Sequence, residues 1–286
     1  RRARLWEGSA MKADVWMGYL VQIHDNFTVV QSPFVLNGAR VFGADSDATT
    51  LAVAALLHRA VDELVTSVSS PDGFDAQSIS QATGIQSHNL DDGSTAPWDL
   101  LLSDEATVVL ARHGAEVTLT ELEISVEVDE GFYNAINEAW EAELSTSHVS
   151  QGAYVSQAQY EEAALSRLSL VGQTAEGAVL WPPRFSHLVA GVEASNQPLK
   201  REGTIQTWTT LSAAGAPSEF SLRAPLLGGI STVLLHLDDG PKGVFLVVDD
   251  EDVDFVMDGK MELVFRRLYA QEGVVRYGLK ARSIDN

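Results

Sequence analysis

Cysteine is absent from the 286 residues. This excludes disulfides, a thiolate nucleophile and thiolate metal ligation, and it fits a reducing, cytoplasmic setting. Proline is sparse, at 9 residues, while 45% of the chain is hydrophobic. That composition excludes a low-complexity chain and fits folded protein throughout, long enough for two ordinary domains. No apolar run approaches the roughly twenty residues of a membrane span, and no signal-peptide pattern is present, so a soluble, non-exported chain is expected. Positive charge is also scarce. Forty acidic residues against 19 basic ones leave a net charge of −21. Such a field repels phosphate backbones and anionic lipid heads, so neither nucleic acid nor a membrane surface is an expected partner. It also matches chains kept soluble at high salt.

Motifs of nucleotide and hydrolytic chemistry are missing too. Gly38 and Gly43 form neither a G-x-G-x-x-G nor a phosphate-binding loop. No G-x-S-x-G elbow supports a Ser/His/Asp triad. The seven histidines, His24, His58, His88, His113, His148, His187 and His236, lack the spacing of a metal site. His58 reads as a surface or cap position in a helix and His236 as a sheet-face residue. The run Asp249-Asp250-Glu251-Asp252-Val253-Asp254 has no EF-hand spacing and reads as a solvated inter-strand loop. Three arginines lie in residues 1–10, ahead of Met11, and leave open whether this stretch is native.

What is present alternates in an α/β manner at first. Val15–Ile23 and Phe27–Val30 predict a hairpin around Asp25-Asn26. Asp47 predicts a helix cap, followed by Leu51, Ala54, Leu57, Val61, Leu64 and Val65 at three- and four-residue spacing, one buried face. A turn at Ser69–Gly73, a second helix over Ala76–Gly84 and a loop over His88–Pro97 follow. Glu105–Ala111 predicts a buried strand. Leu122, Ile124, Val126 and Val128 alternate with polar residues, the pattern of a strand with one wet face. From Asp129 a helix should align Phe132, Ile136, Trp140 and Leu144, and a polar linker over Ser145–Gln159 then leads to a short helix, Tyr160–Leu168.

The C-terminal part is β-rich. Trp181-Pro182-Pro183-Arg184 is a stiff extended crossing, because proline fixes φ and removes a donor. Runs at Thr204–Leu211, Gly229–Leu237, Gly243–Val248, Met261–Leu268 and Val274–Ala281 are rich in β-branched and aromatic residues. Turn sequences such as Asp238-Asp239-Gly240-Pro241 and Asp258-Gly259-Lys260 bound them. Five such strands suit a Greek-key barrel of the OB-fold kind.

These features carry a resemblance. The Gly177 to Pro-Pro-Arg spacing, Gly203, Ala224-Pro225 and the segment Asp258–Phe265 make residues 168–282 similar to the acyl-CoA-associated zinc-ribbon/OB-fold family. Its members accompany thiolase-type and hydroxymethylglutaryl-CoA-synthase-type enzymes. The family's ribbon commonly holds zinc on two Cys-x-x-Cys pairs, and the matching positions here are Gln173, Glu176, His187 and Ala190. One imidazole, one carboxylate and one amide make a poor ligand set, so the resemblance implies a ribbon without its metal. More weakly, the helix from Thr49 to Leu64, Ser69-Ser70-Pro71 and Ser103–Leu110 resemble pieces of a thiolase-like domain, in reduced form and without the nucleophilic cysteine.

The expected architecture is an α/β N-terminal domain, similar to a reduced thiolase-like domain, plus a C-terminal all-β OB-fold barrel preceded by a degenerate rubredoxin-like ribbon. The expected boundaries are 1–144 for the α/β domain, 145–170 for linker and short helix, 171–202 for the ribbon and 203–286 for the barrel. The resemblance implies a noncatalytic subunit of a thiolase-type complex that makes or cleaves carbon-carbon bonds between CoA thioesters. It would form a hetero-oligomer with a thiolase-like catalytic protein. Trp181, Pro182 and Pro183 would meet that partner, with packing on the chain's own barrel as the alternative for Trp181. Arg184, Lys200 and Arg201 would contact the phosphates of coenzyme A. Arg266, Arg267, Arg276, Lys280 and Arg282 extend the local basic character. The alternatives are a free-standing OB-fold ligand-binding protein, an accessory subunit of a hydroxymethylglutaryl-CoA synthase or of an acyl-CoA aldolase or hydratase complex, and an independent hydrolase or lyase.

Overall fold

The computed structural model describes residues 14–89, 96–119, 122, 124–145, 168–183, 194–271 and 273–284. The chain divides into two compact units, the first running to Asn134 and the second from Ala135 to Asp285.

The first unit opens with β1 (Asp14–Trp16), β2 (Tyr19–Ile23) and β3 (Phe27–Gln31). The run Val15–Ile23 is therefore not one strand. Met17 and Gly18 both take positive φ, 53° and 81°, the backbone of a tight hairpin turn whose twist matches that of paired strands. The expected hairpin at Asp25-Asn26 follows as β2 and β3. Two short strands, β4 (Phe34–Leu36) and β5 (Ala39–Arg40), come next.

Helix α1 (Ala48–Asp62) starts where Asp47 dictates. Thr50 N–H donates to Asp47 Oδ1 at 3.0 Å and Asp47 N–H donates to Thr50 Oγ1 at 3.0 Å, so two orphan donors of the first turn are satisfied reciprocally. Its burial differs from the single stripe expected. Ala48 to Leu56 are buried on every side, while Val61 and Leu64 are 73% and 86% exposed. Small Ala and Thr side chains let the first turns sink among neighbours, and the helix emerges after Leu56. Arg59 closes it, donating to the carbonyls of His24 at 2.8 Å and Asp25 at 2.7 Å and pairing with Glu63. His58 packs edge-on to Trp16 with ring centroids 5.0 Å apart, and this burial holds its pKa below the ordinary histidine value.

Then come β6 (Ser67–Ser70), α2 (Ala76–Thr83), β7 (Gln86–Asn89), β8 (Trp98–Ser103), β9 (Thr107–Arg112) and β10 (Val126–Glu127). Helix α2 ends as expected at Gly84, in the left-handed conformation. The predicted loop at His88–Pro97 is partly strand: His88 and Asn89 pair in parallel with Ser69 and Ser70. Residues 90–95 lie outside the described residues. β8 is a strand that local patterning did not reveal.

The long alternating strand expected over Leu122–Val128 is reduced to the two residues of β10, parallel to β4. Arg40 explains this, since its guanidinium takes the carbonyls of Leu122 and Ile124 at 2.6 and 3.1 Å, groups a strand ladder would need. The main sheet has seven strands in the order β1-β2-β3-β9-β8-β6-β7. β6, β7 and β8 run parallel, and β9 is antiparallel to both of its neighbours. Helix α3 (Glu130–Leu144) spans the division between the units. Asp129 Oδ1 accepts from Phe132 N–H at 2.8 Å, and Ile136, Ala139, Trp140 and Glu143 are buried.

The second unit holds a small sheet and a barrel. β11 (Val171–Ala175), β12 (Ala178–Leu180) and β13 (Ala194–Pro198) form a three-stranded sheet in the order β12-β11-β13. β14 (Glu202–Leu211), β15 (Ile230–Leu237), β16 (Lys242–Val247), β17 (Lys260–Gln271) and β18 (Val274–Ser283) close into a barrel ordered β14-β15-β16-β18-β17. Each lies on one of the five expected runs. Period-two alternation fills the interior: Leu263 faces Ala281 and Phe265 faces Leu279 on one ribbon, while Ile205 faces Leu235 and Val233 faces Phe245 on another, all buried. In the middle of the β17–β18 ribbon the alternate residues Val264, Arg266, Lys280 and Arg282 are buried as well. That part of the ribbon is thus covered on both faces, and its second face is charged.

The expected linker falls largely on 146–167, outside the described residues. Among the described residues no helix is long and apolar enough to cross a membrane.

Candidate functional site

The second unit contains an extensive internal charge network. Arg223, 1% exposed, uses its whole guanidinium: Nε donates to Glu143 Oε2 at 2.9 Å, Nη1 to Asp249 Oδ2 at 3.1 Å and Nη2 to the Leu268 carbonyl at 2.9 Å. Its Cζ lies 3.8 Å from the centroid of the Trp140 ring, and Arg267 lies 4.3 Å from the same ring. The ring quadrupole adds to the ionic contacts, by about 2 kcal/mol for a desolvated pair. Asp249 also accepts from Lys280 Nζ at 2.7 Å, and that lysine is 1% exposed. One helix, two loops and two barrel strands are thereby tied by buried charges.

A second cluster lies along the same ribbon. Arg282 donates to Glu251 and, at 2.9 Å, to Glu262. Burial opposes the charge on Arg282, but the two glutamates together outweigh it and hold the guanidinium above its ordinary pKa. Arg201, the residue just before β14, whose carbonyl accepts from Leu263 N–H at 2.7 Å, has the opposite fate. Burial pushes it down to about 10 despite Glu262, and its Nη1 has no hydrogen-bond partner.

These clusters correct two expectations. The acidic run at Asp249–Asp254 is not simply a solvated loop, because Asp249 and Glu251 turn inward as counter-ions. Arg266, Lys280 and Arg282 are interior residues, not an exposed basic patch. Glu143 and Arg223 were not singled out in the sequence. The one signal is Glu143 standing three residues after Trp140, on the buried stripe of α3.

The residues singled out in the sequence lie as follows. Trp181 stacks on Phe245 of β16, centroids 5.4 Å apart and planes 28° from parallel, and with Pro182 and Pro183 it is half-buried. The Trp181-Pro182 bond is cis. Lys200 is exposed, with its backbone N–H bonded to the Asp239 carboxylate. Gln173 is buried in β11 and donates to Asn196 at 3.4 Å, while Glu176 sits in the β11–β12 turn at φ 50°. Arg184, His187 and Ala190 lie outside the described residues. Among the described residues no cluster of three or more His, Cys, Asp or Glu is placed to hold a metal.

Gly243 makes the Trp181 contact possible. A Cβ there would fall 2.7 Å from the Trp181 ring and 2.7 Å from that of Phe245. Gly243→Ala should therefore lower stability by about 1–3 kcal/mol through overpacking, with the Trp181 fluorescence maximum shifted to the red. Unchanged stability and emission would show that the crossing does not rest on β16.

In the first unit, His113 Nδ1 is 2.8 Å from Asp99 Oδ2 on an exposed ring. The hydroxyls at the end of β6 serve structure: Ser69 accepts from Ala96 N–H, and Ser70 bonds Ser87 and the His88 carbonyl.

No family model matches the chain, and no curated protein does. Among solved structures, a chain of the Ltp2-ChsH2(DUF35) aldolase is similar at 15% identity, covering 45% of this chain and 98% of that one with a TM-score of 0.31. A likeness of that size does not bear on activity.

Proposed function

We propose that the chain is a noncatalytic subunit of an acyl-CoA enzyme complex of the thiolase type, holding a catalytic chain that makes or cleaves carbon-carbon bonds between CoA thioesters. The observation that carries this reading is a small three-stranded ribbon followed directly by a closed barrel, on the residues that resemble the ribbon/OB-fold family. In the order of the chain, the barrel strands neighbour one another as first, second, third, fifth and fourth, with the third and fifth parallel. That arrangement supports an OB-type Greek-key barrel.

The first unit supports the rest of the reading. Its β3-α1-β6-α2-β7-β8-β9 succession places one antiparallel strand, β9, inside a mixed sheet, as a half of a thiolase-like domain would. The absence of cysteine supports placing acyl transfer on another chain in this reading. Arg201, with a buried donor left over, supports the assignment of Lys200, Arg201 and Arg184 as contacts for CoA phosphates, since a phosphate would supply the missing acceptor.

The test is an affinity pull-down of the tagged full chain from its native source, followed by mass spectrometry and an acyl-CoA cleavage assay on the eluate. Recovery of a cysteine-bearing thiolase-like chain with activity is the expected result. Recovery of the chain alone, inert toward acyl-CoA, would overturn the proposal in favour of a free-standing ligand-binding protein.

A further inference from the structure

Between β16 and β17 the chain presents large apolar side chains to water. Val256 is 62% exposed and Met257 54%, and the preceding Phe255 stacks on Trp208 of β14, itself 39% exposed, with centroids 5.8 Å apart and planes 20° from parallel. Isolated apolar residues on a surface are ordinary, but here four are gathered around one turn. The turn is also fixed. Gly259 N–H bonds the Val256 carbonyl at 3.0 Å, Asp258 N–H bonds the Ile205 carbonyl at 3.1 Å, and Ile205 N–H bonds the Gly259 carbonyl at 2.9 Å. Asp258 holds φ 63° to close it. A tip held by its backbone loses little conformational freedom on docking, and Trp, Phe and Met are residue types enriched at interface centres.

Charge identifies what it docks on. Asp254 and Asp258 are exposed on either side of the apolar tip, within a chain of net charge −21. An anionic bilayer or a nucleic acid is repelled by such a rim. A second copy would bring the same carboxylates face to face. A protein groove with apolar walls and a Lys/Arg rim satisfies both features. We infer that the Phe255-Val256-Met257 tip, backed by Trp208, is the docking element that enters an apolar, basic-rimmed groove on the catalytic acyl-CoA chain. This rests on the accessory-subunit reading above and names the surface that serves it.

The test uses the full chain and the catalytic chain recovered with it, with affinity measured by calorimetry at low and moderate salt. The double variant Val256→Ser/Met257→Ser should weaken binding at least about tenfold with little change in melting temperature, because both side chains already face water. Asp254→Lys should weaken it severalfold and flatten its salt dependence. Val61→Ser, in the first unit, should bind as the parent does. Unchanged affinity of the tip variants for a recovered catalytic chain would overturn the docking assignment and leave the subunit reading intact. Failure to recover any acyl-CoA enzyme would overturn both. Two further outcomes overturn the inference in their own way: a self-association in sedimentation that the double variant abolishes, and co-pelleting of the parent with phosphatidylserine vesicles.

Discussion

Replacing Arg223 by Met should destabilise the chain by about 3–5 kcal/mol near neutral pH, because it leaves carboxylates buried without the cation that faces them. Asp249 would keep Lys280, but Glu143, which is 0% exposed, would lose the guanidinium 2.9 Å away. Its carboxyl would then rise above the ordinary glutamate value. A folded state that binds that proton more tightly than the unfolded chain is favoured by acid and loses stability as pH rises through the shifted pKa. The deficit of Arg223→Met, read from urea unfolding, should thus be smaller at about pH 5 than at about pH 8. Arg223→Met combined with Glu143→Leu should recover much of the loss, since the one carboxylate that remains, Asp249, keeps Lys280. A deficit under about 1 kcal/mol at both pH values would mean that water reaches the pair.

This network also shows what local sequence can and cannot carry. The five barrel strands were legible because each is a β-branched and aromatic run closed by turn residues, and those signals act over a few positions. Asp47 and Gly84 were legible for the same reason. Apart from the tight turn at Met17-Gly18, the misreadings are long-range. Trp98–Ser103 is a strand because Thr107–Arg112 lies against it. Leu122–Val128 has the alternation of a strand but only a three-residue neighbour, Phe34–Leu36, to pair with, and Arg40 claims the carbonyls of Leu122 and Ile124. Glu143 and Arg223 stand 80 residues apart, and neither has a local reason to be buried. For Asp249 and Glu251 the chain around them is plainly hydrophilic, and only the closing of the barrel brings Lys280 and Arg282 to them.

The candidate site was less legible than the fold for a related reason. Basic residues counted along the chain suggested a phosphate-binding surface, but the middle of the β17–β18 ribbon is covered on both faces, so Lys280 and Arg282 meet carboxylates inside and Arg266 is buried with them. Arg201 lies outside that ribbon and keeps a buried Nη1 with no hydrogen-bond partner. The same covering explains how an acidic chain presents a defined apolar tip: the loop leaving β16 is rooted by Asp249 and Glu251 in buried cations, and its far end is bonded to β14. A segment anchored at both ends by enthalpically strong contacts can expose Val256 and Met257 without collapsing onto the barrel.

That root can be tested at Asp249. Asp249→Leu should cost about 3–5 kcal/mol near pH 7, since it takes from Lys280 the carboxylate 2.7 Å from its ammonium and leaves a buried charge. Here the pH signature is opposite to that of Arg223→Met. Lysine can release its proton when desolvated, so the folded pKa of Lys280 would fall below the unfolded value of about 10.4. The folded variant then binds fewer protons than the unfolded chain, and its stability rises with pH between the two pKa values. The deficit should shrink between about pH 7 and pH 10, with Arg223 still held by Glu143 and the Leu268 carbonyl. Acid relief for one variant and alkaline relief for the other would establish that both charges are internal and that Asp249 joins them. A deficit independent of pH would place the Lys280 ammonium in water and assign the loss to packing alone.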